Sequence, residues 1–130
     1  MSLTRPPYLI LSPEAPAIPL VVSIPHTGTL LPEHTAARLA TDRMREQPMT
    51  DWHLHRLYDF LPRIGITVIH AIYSRFVVDL NRPPDGRPLY PGRFETGLVP
   101  LETFQGERVF SDPPGPDETP DLRKAFHSPF

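Results

Sequence analysis

Proline at 19 of 130 positions leaves this chain little room for long regular elements. Each proline lacks a backbone N–H and tends to end a strand or a helix. They punctuate the sequence from Pro6-Pro7 to Pro129, yet the apolar runs between them are intact, so this is not a low-complexity tract. The pattern predicts short elements joined by stiff loops. The length suits one small domain. A formal net charge of -2 gives no basic footprint for nucleic acid. No apolar run is long enough to cross a bilayer. The absence of cysteine excludes disulfides, thiolate catalysis and Cys-bound zinc together. Met1 to Pro7 lacks the pattern of a signal peptide, and a cytoplasmic location is the default reading.

Residues 1–17 read as an irregular N-terminal arm, and 18–130 as the folded part. Leu20-Val21-Val22-Ser23-Ile24, bounded by Pro19 and Pro25, predicts a short buried strand. Pro32 to Ala40 predicts a short helix, followed by a polar, mobile stretch to Pro48. Asp51 to Leu61 carries the best helical pattern, with Leu54, Leu57, Tyr58 and Leu61 as its apolar stripe and Thr50 as N-cap. Ile66 to Ile72 predicts a second strand and Phe76 to Leu80 a third, antiparallel to it or a kinked continuation. The long Pro/Gly-rich stretch from Pro83 to about Glu118 reads as a loop, before a helix starting at Thr119-Pro120-Asp121 with Leu122, Ala125 and Phe126 on its apolar side. That helix runs about two turns before the chain ends at Ser128-Pro129-Phe130.

Candidate chemistry gathers where strands end. His26 follows the first strand in Pro25-His26-Thr27-Gly28, where a neutral imidazole is a common zinc ligand that needs an acceptor to orient it. Asp51 could supply an oxygen ligand; plain helix capping is the alternative. Arg75, Asn81 and Arg82 flank Asp79 in Ser74-Arg75-Phe76-Val77-Val78-Asp79-Leu80-Asn81-Arg82. Two guanidiniums and a carboxamide suit the grip of a carboxylate, and a salt bridge from Asp79 to Arg75 or Arg82 is the structural alternative. His53 and His55, at i and i+2 on one helix, cannot both bind one ion and read as surface residues, as does His34. His70, inside a strand, reads as a hydrogen-bonded structural histidine.

Five blocks occur in a set order: Ser23-Ile24-Pro25-His26-Thr27-Gly28, Thr50-Asp51-Trp52-His53, Ser74 to Pro84, Leu89-Tyr90-Pro91-Gly92-Arg93 and Thr96-Gly97-Leu98. Together they resemble the N-formylglutamate amidohydrolase (N-formylglutamate deformylase) family from about residue 18 to 126. The resemblance implies an α/β fold, a three-layer α/β/α arrangement with a mixed central sheet, related to zinc carboxypeptidases (phosphorylase/hydrolase-like). It implies a zinc-dependent hydrolase that releases formate from N-formyl-L-glutamate in histidine degradation. By that similarity His26 is the first ligand of the Zn2+ and Asp51 the second. Asn81 and Arg82 match a pair that binds the substrate carboxylate, and Arg75 is a neighbouring anion contact.

Members of the family are about twice as long, by the same resemblance, and carry a further His ligand and a catalytic carboxylate in their second half. Both catalytic groups are therefore expected beyond Phe130. The chain reads as an N-terminal half: a truncated frame, a fragment or one part of a split protein. Its expected partners are a small N-acyl amino acid and a missing C-terminal half, or further copies of itself. Two other functions fit the same residues: an amidohydrolase acting on another N-acyl amino acid, and a non-catalytic remnant that binds small carboxylates.

Overall fold

The computed structural model describes residues 3–130. Three strands form one mixed sheet in the order β1-β3-β2. Strand β1 (Tyr8–Leu11) pairs antiparallel with β3 (Thr67–Ala71), and β2 (Val21–Ile24) pairs parallel with it. Residues 1–17 are therefore not simply irregular: the arm carries an edge strand, with Leu9 opposite His70 and Leu11 opposite Val68. Pro6-Pro7 and Pro13 sit outside this four-residue pairing, so the proline-rich arm still has room for a short ladder. A parallel neighbour requires a crossover. Three short helices, α1 (Glu33–Ala36), α2 (Asp42–Arg45) and α3 (Leu54–Leu57), and a 3-10 turn at Leu61–Ile64 make up that connection.

The crossover departs from its sequence pattern in three places. The helix expected over Pro32 to Ala40 shrinks to the single turn α1. The stretch from Thr41 to Pro48, expected to be mobile, is a capped helical turn: Thr41 Oγ1 accepts from Met44 N, and Met44 is buried. The long helix expected over Asp51 to Leu61 is broken at both ends. His53, not Thr50, is the N-cap of α3, and it adopts a left-handed conformation with φ 59°. Its neighbour Asp51 donates its N–H to His26 O at 2.9 Å, which ties the front of this segment to the loop after β2. The stripe does not act as one face. Leu61 is buried from the 3-10 turn, whereas Leu57 is 67% exposed and Tyr58 also faces solvent.

Ile24, Leu61, Ile66 and Val68 form one apolar cluster on one side of the sheet. Two further clusters lie around the segment after β3, one including Met44, Met49, Phe76 and Phe110, the other Tyr73, Val77, Leu98, Leu122 and Phe126. The strand expected over Phe76 to Leu80 is not formed. The segment is buried on all sides instead, which makes an unbroken apolar run ambiguous as to secondary structure. Its backbone bonds run to a near turn and to a distant loop: Val77 N donates to Ser74 O, and Asp79 N to Leu98 O. At the C-terminus, α4 (Thr119–Leu122) continues into a π-helical turn at Arg123–His127, with Leu122 and Phe126 buried as the apolar pattern predicts. Phe130 follows that turn, and its ring meets Tyr8 of β1 edge-on with centroids 6.2 Å apart. The last residue thus packs on the edge strand. Among the described residues no helix is long and apolar enough to cross a membrane.

Gly28 shows why this packing tolerates little change. A Cβ there would overlap the Tyr73 carbonyl oxygen and lie 2.7 Å from its carbonyl carbon. Both are backbone atoms that are held in place, since Thr29 N and Leu30 N donate to Ile72 O on one side and Ser74 N donates to Leu30 O on the other. Gly28→Ala is expected to lower unfolding stability by about 3 kcal/mol, as overpacking against backbone does. Urea unfolding checks this; a loss below about 1 kcal/mol would show that the two segments can separate freely.

Candidate metal and carboxylate site

Strands β2 and β3 run parallel, so their carboxyl ends open on the same side of the sheet. In open α/β sheets ligands bind beyond such ends. His26 stands two residues past β2, and Arg75 to Arg82 follow β3 after a short turn. The site is built around Asp79, whose side chain is fully buried. Its Oδ1 accepts from His26 Nε2 at 2.6 Å and from Asn81 N at 2.9 Å. Its Oδ2 accepts from Arg75 Nη2 at 2.6 Å. Burial alone would push the Asp79 carboxyl up. The His26 hydrogen bond, the Arg75 charge and the Asn81 N–H outweigh it and hold the group at about 2.

An ionised Asp79 can only accept, so the proton of a neutral His26 sits on Nε2. Nδ1 keeps its lone pair. Nδ1 lies 3.7 Å from Asp51 Oδ2, and the Asp51 side chain is about half exposed. That gap is too long for a hydrogen bond. It is close to the spacing of about 3.4 Å between two donors on one tetrahedral zinc, given Zn–N and Zn–O bonds near 2.1 Å. The structure thus brings His26 and Asp51 together, and the donor set of one imidazole nitrogen and one carboxylate oxygen suits zinc. Among the described residues no group of three or more His, Asp or Glu converges as a metal site. Phe130 and the turn before it add no donor to the pair: His127 is engaged elsewhere, with Nε2 donating to Arg82 O at 2.8 Å.

The carboxylate-gripping residues divide. Arg75 is buried and serves Asp79, with Nη1 donating to Met49 O at 3.2 Å; its Nε is buried without a partner. The salt bridge that the sequence offered as the alternative for this segment is present. Arg82 is more open. Nε donates to Thr96 O, Nη2 to Thr96 Oγ1 and Nη1 to Asn81 O. Of its five N–H groups, two remain, one on each terminal nitrogen, which leaves a fork for a carboxylate. The Asn81 side chain is exposed beside it. The His127 contact joins the C-terminal turn to this loop.

Two features were missed by sequence reasoning. Asp79 was legible as a partner for Arg75 but not as the acceptor for His26; a candidate metal histidine calls for such an acceptor, and Asp79 is the buried carboxylate nearest in kind. His55 is not a plain surface residue: its Nδ1 lies 2.6 Å from Thr27 Oγ1, and its ring lies beside that of His70 with centroids 5.1 Å apart. No sequence spacing signals that contact. His34 and His53 are exposed, and His70 is buried with Nδ1 3.2 Å from Ala71 O, in line with its expected structural role.

The family model for N-formylglutamate amidohydrolase matches residues 18–130. The chain belongs to the N-formylglutamate amidohydrolase family. It is 46% identical over 95 residues to N-formylglutamate deformylase of Pseudomonas putida, a match that covers 73% of this chain and 35% of that protein. It is 40% identical over 114 residues to N-formylglutamate deformylase of Pseudomonas aeruginosa, covering 88% of this chain and 42% of that one. The fold is similar to a crystal structure of N-formylglutamate amidohydrolase from Ralstonia eutropha JMP134, with TM-score 0.77, 23% identity, and coverage of 95% of this chain and 48% of that chain. A gene product of Agrobacterium tumefaciens is similar at TM-score 0.69 and 18% identity, covering 97% of this chain and 47% of that chain. The chain thus spans less than half the length of each of these proteins.

Asp79 sets a testable pH dependence. Its folded-state value of about 2 lies below the ordinary 3.8, so its contribution of about 2 kcal/mol is present above about pH 4 and is lost as pH falls toward 2. Asp79→Asn leaves the Arg75 charge buried and uncompensated, and is expected to cost about 3–5 kcal/mol at neutral pH. Urea midpoints from pH 6 to pH 3 should fall more steeply for the native chain than for Asp79→Asn; equal slopes would remove Asp79 from its central place.

Proposed function

We propose that this chain carries the metal-binding and substrate-gripping part of a zinc-dependent N-formylglutamate deformylase, built on a carboxypeptidase-like three-layer fold. The observation that carries this reading is the Asp79–His26 hydrogen bond, which leaves Nδ1 of His26 bare and facing Asp51 in a member of this family. His26 and Asp51 would hold the ion. When bound, zinc would polarise the formyl carbonyl and lower the pKa of a water. Asp79 keeps His26 in the tautomer that can ligate, and Arg75 keeps Asp79 charged. Arg82, steadied by Thr96, and Asn81 take the carboxylates of the glutamate and so orient the amide.

A catalytic zinc usually has three protein ligands. Among the described residues no third donor joins the pair, so we place the third ligand and the catalytic carboxylate on a further polypeptide segment that packs against apolar surfaces exposed here. Those surfaces include Ile10 and Val21 on the outer strands and Leu57 on α3, all at least half exposed. The 130-residue chain alone is then expected to show no appreciable deformylase activity and to associate through these apolar surfaces. A second-half polypeptide from a close relative should restore activity. Turnover of N-formylglutamate by a soluble monomer of this chain alone would contradict the reading. A panel of N-formyl and N-acetyl amino acids separates N-formylglutamate from other N-acyl substrates.

Zinc titration by calorimetry tests the metal directly. His26→Ala is expected to lose most of the zinc affinity; unchanged stoichiometry and affinity would remove His26 from the site. In the complemented enzyme, Arg82→Met keeps the stem and loses the fork. It should lower kcat/KM by about 10- to 150-fold, the worth of one charge-assisted contact of about 1.5–3 kcal/mol. A change under about 3-fold would make Arg82 structural.

A further inference from the structure

The two candidate ligands sit on separate pieces of chain, His26 after β2 and Asp51 before α3, and something must hold them at one spacing. One tie is the Asp51 N–H to His26 O hydrogen bond. The other lies one residue further on the first piece and four residues further on the second. Thr27 is buried, and its Oγ1 lies 2.6 Å from His55 Nδ1 and 3.4 Å from His55 N. His55 is the second residue of α3, where the backbone N–H has no partner within the helix. The usual acceptor is the N-cap side chain, but His53 is left-handed and makes no side-chain cap. Thr27 supplies that acceptor from another part of the chain.

The hydroxyl can serve both contacts at once. Its oxygen accepts from His55 N while its proton goes to Nδ1 of a neutral His55. Burial, helped by His70, His53 and Arg56, holds the His55 imidazole below its ordinary range, which favours that neutral form. The His70 ring lies beside the His55 ring, with centroids 5.1 Å apart and planes tilted by 32°.

We infer that Thr27 and His55 form a positioning clamp that sets the separation of His26 and Asp51 and thereby raises the affinity of the pair for a divalent metal. The inference rests on the reading of His26 and Asp51 as metal ligands. Neither clamp residue touches the ion; both act through the backbone that carries the ligands. Partners hydrogen-bonded to a metal ligand typically change affinity by about 10- to 100-fold when removed, and a clamp on the backbone of both ligands is expected at the lower end of that range.

The test uses the full chain and zinc alone. Thr27→Val keeps the shape and removes the hydroxyl; His55→Ala removes the other jaw and serves if Thr27→Val fails to fold. Either is expected to weaken zinc binding in calorimetry by about 10-fold or more. Thr27→Ser should bind like the native chain. Leu122→Ala, a core change in another cluster, should lose stability but keep its zinc affinity. Hydrogen exchange at the Asp51 amide gives a readout without metal: it should be faster in Thr27→Val and native-like in Thr27→Ser. If the native chain takes up no zinc, the metal reading fails and the Asp51 amide alone decides whether the clamp exists. Native zinc affinity in both clamp variants, equal weakening in Leu122→Ala, or unchanged Asp51 exchange would each overturn the clamp.

Discussion

The structure depends on one buried carboxylate. Asp79 has no exposed surface, and a charge taken out of water is costly unless it is paired and hydrogen-bonded. Three groups from two parts of the chain meet that need: His26 from the loop after β2, and Arg75 and the Asn81 N–H from the segment after β3. The same contacts join the ends of two parallel strands, fix the tautomer of His26 and hold the turn that presents Arg82. Buried pairs of this kind add little net stability compared with apolar packing. What they provide here is placement: the imidazole and the Arg82 fork are each set by an atom that Asp79 holds or adjoins.

Part of this was legible in the sequence. β2 and β3 form where their β-branched runs put them, but β2, expected to be buried, is an outer strand with Val21 63% exposed and only Ile24 buried. Leu122 and Phe126 are buried on one side of the last helix, as their spacing implies. His26 drew notice because it follows a strand end and has no apolar surface to fill. The Phe76-Val77-Val78 run was legible as buried but not as irregular, because burial on all sides erases the alternation that marks a strand.

The rest depends on contacts between distant residues. The stripe from Leu54 to Leu61 has helical spacing, but the Asp51 to His26 hydrogen bond and the left-handed His53 break the helix, leaving Leu57 in solvent. Tyr8–Leu11 is a short apolar run between Pro7 and Pro13, the same local signal that marks β2, and reading the arm as irregular passed over it; its antiparallel pairing with β3 is what the sequence does not show. The Tyr8–Phe130 ring contact joins the two ends of the described fold and is equally silent in the sequence. Thr27 and His55 are 28 positions apart, and neither residue type alone suggests the other. Family membership agrees with the block order read from the sequence.

The tautomer of His26 tests the central claim most directly. Two-bond proton–nitrogen correlations on the imidazole distinguish a proton on Nε2 from one on Nδ1. With Asp79 ionised and accepting, the neutral imidazole of His26 should carry its proton on Nε2 and leave Nδ1 bare, and added zinc should move the Nδ1 resonance most. A neutral imidazole with its proton on Nδ1 rather than Nε2, or zinc bound through Nε2, would contradict the role of Asp79 and the orientation of the site built on it.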